Sequence, residues 1–205
     1  KPTIFITNKF NLEHGEIPYG YFNIEALYRL FNMLNDKGYN VIYKRASNKE
    51  KDITIDQNEA NSLNSGYHNI KGDIEGIGII TDYQFCDYFP NVTLIDSIIE
   101  NSNYSYNEIQ LKIMANCSGF ITVCGGNSIL SSLFCKPTIS YIHKGKELRP
   151  NYFGSNSYFQ KISNNNVYPA FDVLGHINPN TYNHKVNNTG KNDYSEVFKL
   201  INKLF

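Results

Sequence analysis

The sequence predicts an α/β protein with a doubly wound, mostly parallel sheet. Three observations point there. Short apolar runs alternate with segments of helical apolar spacing. The runs Thr3-Ile4-Phe5-Ile6-Thr7 and Tyr39-Asn40-Val41-Ile42-Tyr43 flank one helical segment, a β-α-β unit with an expected right-handed crossover. A later run, Gly119-Phe120-Ile121-Thr122-Val123, stops at Cys124-Gly125-Gly126 and leads into another helical segment. Parallel α/β sheets present phosphate sites in this way.

Each element follows from its own residues. Thr3–Thr7 is the first strand, and the polar stretch from Asn8 to Tyr21 is a loop. Asn23 caps a helix in which Ile24, Leu27, Tyr28, Leu30, Phe31 and Leu34 recur at helical spacing, and Gly38 ends it from the C′ position. Tyr39–Tyr43 is the second strand and runs into Lys44-Arg45. Residues 46–75 are polar, with a short helix expected near Asp56–Leu63. Gly76–Thr81 and Val92–Ile95 read as strands, each followed by an aspartate, Asp82 and Asp96. Ser105 or Asn107 begins a helix through Ala115, and a helix from Ser128 to Phe134 follows the Gly pair. Lys136-Pro137 turns into the strand Thr138–Ile142. After Asn151 the chain is rich in Asn, Ser and Tyr and loses periodicity, so residues 155–193 are expected to be loop-rich and 194–205 a closing helix. With no internal repeat and no clear linker, residues 1–205 read as a single domain.

In open parallel sheets, ligands bind beyond the carboxyl ends of the strands. The Gly pair lets backbone approach a ligand without an intervening Cβ, and the helix start adds unpaired N–H groups and a positive dipole end. Gly125, Gly126, Asn127 and Ser128 are therefore the expected phosphate-binding set; the alternatives are a tight turn for the glycines and a helix cap for Asn127 or Ser128. Lys44 and Arg45 are expected to neutralise a diphosphate, or else to be a solvated strand end. Asp96 either faces a ribose or base or caps a turn. His14, Glu13 and Glu16 share the first loop, where any one can serve as a general base or simply be solvated. His143 and Lys144 follow the last predicted strand and either contact phosphate or stay on the surface.

A formal net charge of +0 argues against a broad electrostatic surface for nucleic acid or anionic lipid, so any anion site is local. No run approaches the ~20 apolar residues of a membrane span, and no signal peptide is visible. The cysteines, Cys86, Cys117, Cys124 and Cys135, form no CxxC pair and read as buried free thiols, which suits a reducing, cytoplasmic setting. The chain opens at Lys1 and already reads as strand by Thr3, the expectation for an excised or processed domain. There is no GxGxxG after the first strand, no GxxxxGK[ST], no GxSxG elbow and no HExxH, which excludes the corresponding dehydrogenase, P-loop, hydrolase and zinc-protease readings.

The segment Glu108–Ile142 resembles the nucleotide-sugar half of a GT-B-fold glycosyltransferase. The matching residues are Ala115-Asn116-Cys117-Ser118-Gly119-Phe120-Ile121, then Gly125-Gly126-Asn127-Ser128, then Lys136-Pro137-Thr138-Ile139. The opening strand, loop and long helix, followed by Gly38–Arg45, are similar too, so the resemblance spans about residues 1–150. It implies a Rossmann-like domain of the GT-B type. It also implies a donor diphosphate on Gly125, Gly126, Asn127 and Ser128, and a nucleobase or ribose near Asp96 and Ser97. Two departures stand out. Many members bind the ribose with a Glu in the helix after the Gly loop, where this chain has Leu130, Ser131 and Ser132. The family also uses two such domains, and 205 residues supply roughly one, so the resemblance implies a second domain elsewhere or a compact variant.

The leading expectation is a glycosyltransferase, or its donor-binding domain, moving sugar from a nucleotide sugar to a glycan or other hydroxyl acceptor. No Asp-x-Asp pair is present to hold a metal on the diphosphate, so the chemistry is expected to need neither metal nor cofactor, with His14 or Glu16 as base. One alternative is a non-catalytic nucleotide-sugar-binding module. Another is a relative of the cytokinin-activating phosphoribohydrolases, whose Pro-Gly-Gly-x-Gly-Thr-x-x-Glu loop this chain matches only in part, with Cys124 in place of the Pro and no Glu.

Overall fold

A computed structural model describes residues 1–10, 20–45, 70–143, 157–172 and 192–205. It is an α/β structure with six parallel strands, and the alternating order of strands and helices is that of a Rossmann-like fold. The chain divides into two units, Lys1–Cys117 and Ser118–Phe205.

In the first unit, β1 (Thr3–Thr7) pairs in parallel with β2 (Asn40–Lys44), and β2 with β5 (Val92–Leu94). Helix α1 (Ile24–Asp36) joins β1 to β2. Asn23 caps it by accepting the Ala26 N–H at 2.8 Å, and Gly38, at φ +79°, ends it. Its buried stripe, Ile24, Ala26, Leu27, Leu30, Phe31 and Leu34, keeps the spacing read from the sequence. Each of the larger side chains contributes about 1.5–3 kcal/mol by leaving water. Phe31 packs at 5.2 Å on Phe89 and 6.1 Å on Phe85 of α2 (Asp82–Cys86). Helices α3 (Ile95–Glu100) and α4 (Tyr106–Asn116) follow, the latter started by a Ser105–Glu108 capping box.

One predicted strand changes character. Gly76–Thr81 was expected to lie in the parallel sheet. Gly76 and Gly78 instead adopt φ +82° and +88° and form a turn, so that β4 (Gly78–Thr81) folds back antiparallel on β3 (Lys71–Ile74) in a separate two-stranded ribbon. The expected helix near Asp56–Leu63 lies outside the described residues.

In the second unit, β6 (Gly119–Val123), β7 (Thr138–Ile142) and β8 (Val167–Phe171) are parallel in that order. Every residue of β6 and β7 is buried, as expected of strands covered on both faces. Helix α5 (Gly126–Ser132) connects β6 to β7, α6 (Tyr158–Ser163) precedes β8, and α7 (Ser195–Leu204) closes the chain. The expectation of loops over 155–193 fails at α6 and β8. Both are short, and Pro169 inside β8 hides its strand character, since proline donates no ladder hydrogen bond. No disulfide joins the four cysteines; Cys86 and Cys117 are buried as expected, whereas Cys124 is half-buried and Cys135 is exposed, with a left-handed φ of +52°.

Candidate functional site

Two polar clusters lie at strand carboxyl ends, one in each unit. In the first unit, Asn8 follows β1, Arg45 follows β2 and Asp82 follows β4. The Asn8 amide donates to the Phe22 carbonyl (2.8 Å) and to the Tyr43 hydroxyl (3.0 Å), while its oxygen accepts the Phe22 N–H (2.9 Å). Tyr43 in turn donates to Asp82 Oδ2 at 2.8 Å, and the same oxygen takes Arg45 Nε at 3.1 Å. The Arg45 guanidinium also lies over the Tyr83 ring at 4.9 Å.

Burial pushes the Asp82 carboxyl above its ordinary range, against the opposing pull of Arg45 and the Tyr43 hydroxyl. Burial, then the Asp82 charge, raises Tyr43 well above the normal phenol range. Tyr83 is pushed up to about 12, chiefly by burial.

This network changes how Lys44 and Arg45 are to be read. Neighbours on a strand point to opposite faces, so the pair separates. Arg45 turns inward to Asp82, whereas the Lys44 ammonium donates to Gln110 Oε1 on α4 and lies 5.0 Å from the Tyr106 ring. Asp96 and Ser97 occupy the first turn of α3. Ser97 is exposed and donates to the Leu94 carbonyl at 2.8 Å; Asp96 is half-buried and contributes charge near Tyr83. Glu13, His14 and Glu16 lie outside the described residues.

In the second unit, the Gly125-Gly126 turn follows β6 directly. Gly125 adopts φ +143°, ψ −159°, a conformation open in practice only to glycine. At Gly126, a Cβ would meet nothing within 4 Å. Ser128 is wholly buried and pins the turn: its Oγ accepts the Gly125 N–H (3.0 Å) and donates to the Gly125 carbonyl (2.8 Å). The Ser128 hydroxyl therefore shapes the loop, and the outward-facing groups are Gly126, which is exposed, and Asn127, which is half-buried. The first-turn N–H groups of Gly126 and Asn127 have no intrahelical acceptor. Ser131 and Ser132, at the positions where the resembled family has its ribose-binding Glu, are fully buried.

Beside this turn stands a pairing that the sequence reading did not find. Asp172, just past β8, is buried and takes His143 Nδ1 at 2.8 Å and the Tyr141 hydroxyl at 2.6 Å on one oxygen, Oδ2. The signal was present in Val167-Tyr168-Pro169-Ala170-Phe171-Asp172, an apolar run ending in aspartate like those that precede Asp82 and Asp96. Among the described residues, no group of three or more His, Cys, Asp or Glu side chains is placed to hold a metal, and no helix is long and apolar enough to cross a membrane. No protein-family model matches the chain, and no curated protein sequence matches it.

Proposed function

We propose that this chain is a glycosyltransferase, or the donor-binding part of one, that seats the diphosphate of a nucleotide sugar on the Gly125–Ser128 turn. The observation that carries the reading is the turn itself. It stands at the carboxyl end of a buried parallel strand, is held open by a glycine-only conformation and a serine pin, and presents Gly126 with open space where a side chain would be. Developing negative charge on a departing nucleoside diphosphate is stabilised by fixed N–H donors of this kind.

Arg45 and Lys44 enter this reading in a reduced role. Arg45 is already paired with Asp82, and the proposal rests the donor's charge on the Gly125–Ser128 backbone alone. The acceptor in this proposal is a glycan or another hydroxyl compound. The proposal is metal-independent because the sequence lacks an Asp-x-Asp pair, and it fits a cytoplasmic setting, where nucleotide sugars and free thiols coexist.

A thermal-shift screen with UDP-, GDP-, dTDP- and CMP-sugars tests the reading. A donor present at a hundredfold excess over its Kd should stabilise the fold by about 2.7 kcal/mol. Gly126→Val should remove that shift while leaving the unliganded melting point nearly unchanged, because the new side chain enters open space. If no donor moves the melting point of the wild-type chain, the reading is wrong. A donor that binds but is never transferred or hydrolysed identifies a binding module instead.

A further inference from the structure

The register of the second unit aligns three strand ends. Val123 pairs with Tyr141, and Ile142 with Phe171. The ladder runs one step further on both sides: the Cys124 N–H donates to the Tyr141 carbonyl and the Asp172 N–H to the Ile142 carbonyl, each at 2.9 Å. His143 thus leaves β7 between the Gly125-Gly126 turn on one neighbouring strand and Asp172 on the other. Adjacent strands lie about 4.8 Å apart, so the register puts His143 one strand over from the turn.

A carboxylate on Nδ1 does two things to an imidazole. It fixes the tautomer, so that Nε2, on the far side of the ring, is the atom that gains or gives a proton. It also stabilises the imidazolium when that forms. Here the carboxylate is fully buried, the ring is 7% exposed, and the Tyr141 hydroxyl holds the same oxygen. Such a cluster is expensive to bury and is geometrically over-determined, as a proton-handling site must be.

We propose that His143 is a proton-transferring residue for a phosphate-bearing ligand seated on the Gly125-Gly126 turn, with Asp172 as its positioning residue. The identity of that ligand rests on the nucleotide-sugar reading above. In transfer from such a donor, the bond between the anomeric carbon and the diphosphate oxygen breaks, and its electron pair stays on that oxygen. The acceptor oxygen forms the new bond to the carbon and releases its proton to water. His143 Nε2–H gives a proton to the departing diphosphate oxygen, and the neutral ring recovers one from water. Asp172 keeps Nδ1–H throughout. The titratable groups around the ring and its partners include Asp172 just past β8, Tyr141 from β7, and Asp193 and Tyr194 ahead of α7.

The test counts protons. Calorimetry of the full chain with UDP and with inorganic pyrophosphate, near neutral pH and in buffers of different ionisation enthalpy, gives the protons taken up per ligand bound. Imidazole nitrogen NMR reports the His143 tautomer and its response. The wild type should show Nδ1–H in the free chain, take up a fraction of a proton on binding, and move its His143 signals saturably. His143→Gln should still bind but lose the uptake, and Asp172→Asn should bind while losing more than half of it, a change that a merely structural role does not produce. If Asp172→Asn fails to fold, His143→Gln and the wild-type NMR response decide the matter. Uptake that persists in His143→Gln, or ligand binding that leaves the His143 signals still, overturns the proposal. Pyrophosphate bound with His143-dependent uptake, in a chain that binds no nucleotide or nucleotide sugar, supports the proposal and sinks the donor reading. Binding of neither ligand overturns both.

Discussion

Arg45 Nε lies 3.1 Å from Asp82 Oδ2, with 3% of the arginine and none of the aspartate exposed. The pair closes a polar chain that begins at Asn8 and passes through Tyr43. It occupies a strand end where ligands bind in this architecture, yet its charges are spent on each other. Removing one partner leaves the other buried and uncompensated, which costs about 3–5 kcal/mol. Arg45→Ala is therefore expected to lower unfolding free energy by that amount in urea titrations, and donor affinity, measured where the variant is still folded, should fall far less than for Gly126→Val. A large loss of affinity with little loss of stability would return Arg45 to the role of a phosphate ligand.

The two glycines of the turn should separate cleanly. Gly125 sits at φ +143°, so Gly125→Ala forces a side chain into a conformation it rarely adopts and should cost about 1–3 kcal/mol. Gly126→Ala adds a methyl to open space and should stay within about 0.5 kcal/mol of the wild type. Chemical denaturation of both variants checks the contrast.

Gly119 has a packing reason that its place in the family-like motif does not reveal. A Cβ there would fall 2.6 Å from the ring of Phe205 and 2.8 Å from the Pro137 carbonyl oxygen. Gly119→Ala should destabilise the chain by about 1–3 kcal/mol through overpacking. Adding Phe205→Leu should recover only part of this, because the backbone oxygen remains in place. Full recovery in the double variant, read by thermal melting, would show that the ring alone sets the constraint.

Tyr83 makes a prediction about alkaline pH. Its folded hydroxyl is pushed up to about 12, from 10.0, chiefly by burial. The unfolded chain therefore loses this proton first, and the contribution to stability is complete below pH 10 and is lost as pH rises through 12. The full effect is on the order of 3 kcal/mol. Tyr83→Phe should show a shallower fall of stability across that interval, measured by urea unfolding at successive pH values. Equal slopes for the two proteins would mean that Tyr83 ionises as freely in the folded chain as in the unfolded one.

Much of the fold was legible because its signals are local. Asn23, the apolar stripe of α1 and Gly38 state the start, face and end of one helix within sixteen consecutive positions, 23–38. Capping and periodicity need no distant partner to be read. The ribbon of β3 and β4 is not legible in the sequence, because a short apolar run does not say whether its neighbour is parallel or antiparallel; the positive φ at Gly76 and Gly78 decides that. Strand β8 was missed because a proline in a five-residue run erases the usual signature.

By itself the sequence determined the alternation of strands and helices and the Gly125-Gly126 turn after β6, since both are written in residues adjacent along the chain. Only tertiary structure decided which side chains face each other. Asp82 meets Tyr43 across thirty-nine positions, and Asp172 meets His143 across twenty-nine. Those partnerships depend on strand order and register, which bring distant residues to the same level of a sheet. They convert Arg45 from an expected anion ligand into half of a buried ion pair, and His143 from one histidine among five into a ring held at a fixed nitrogen.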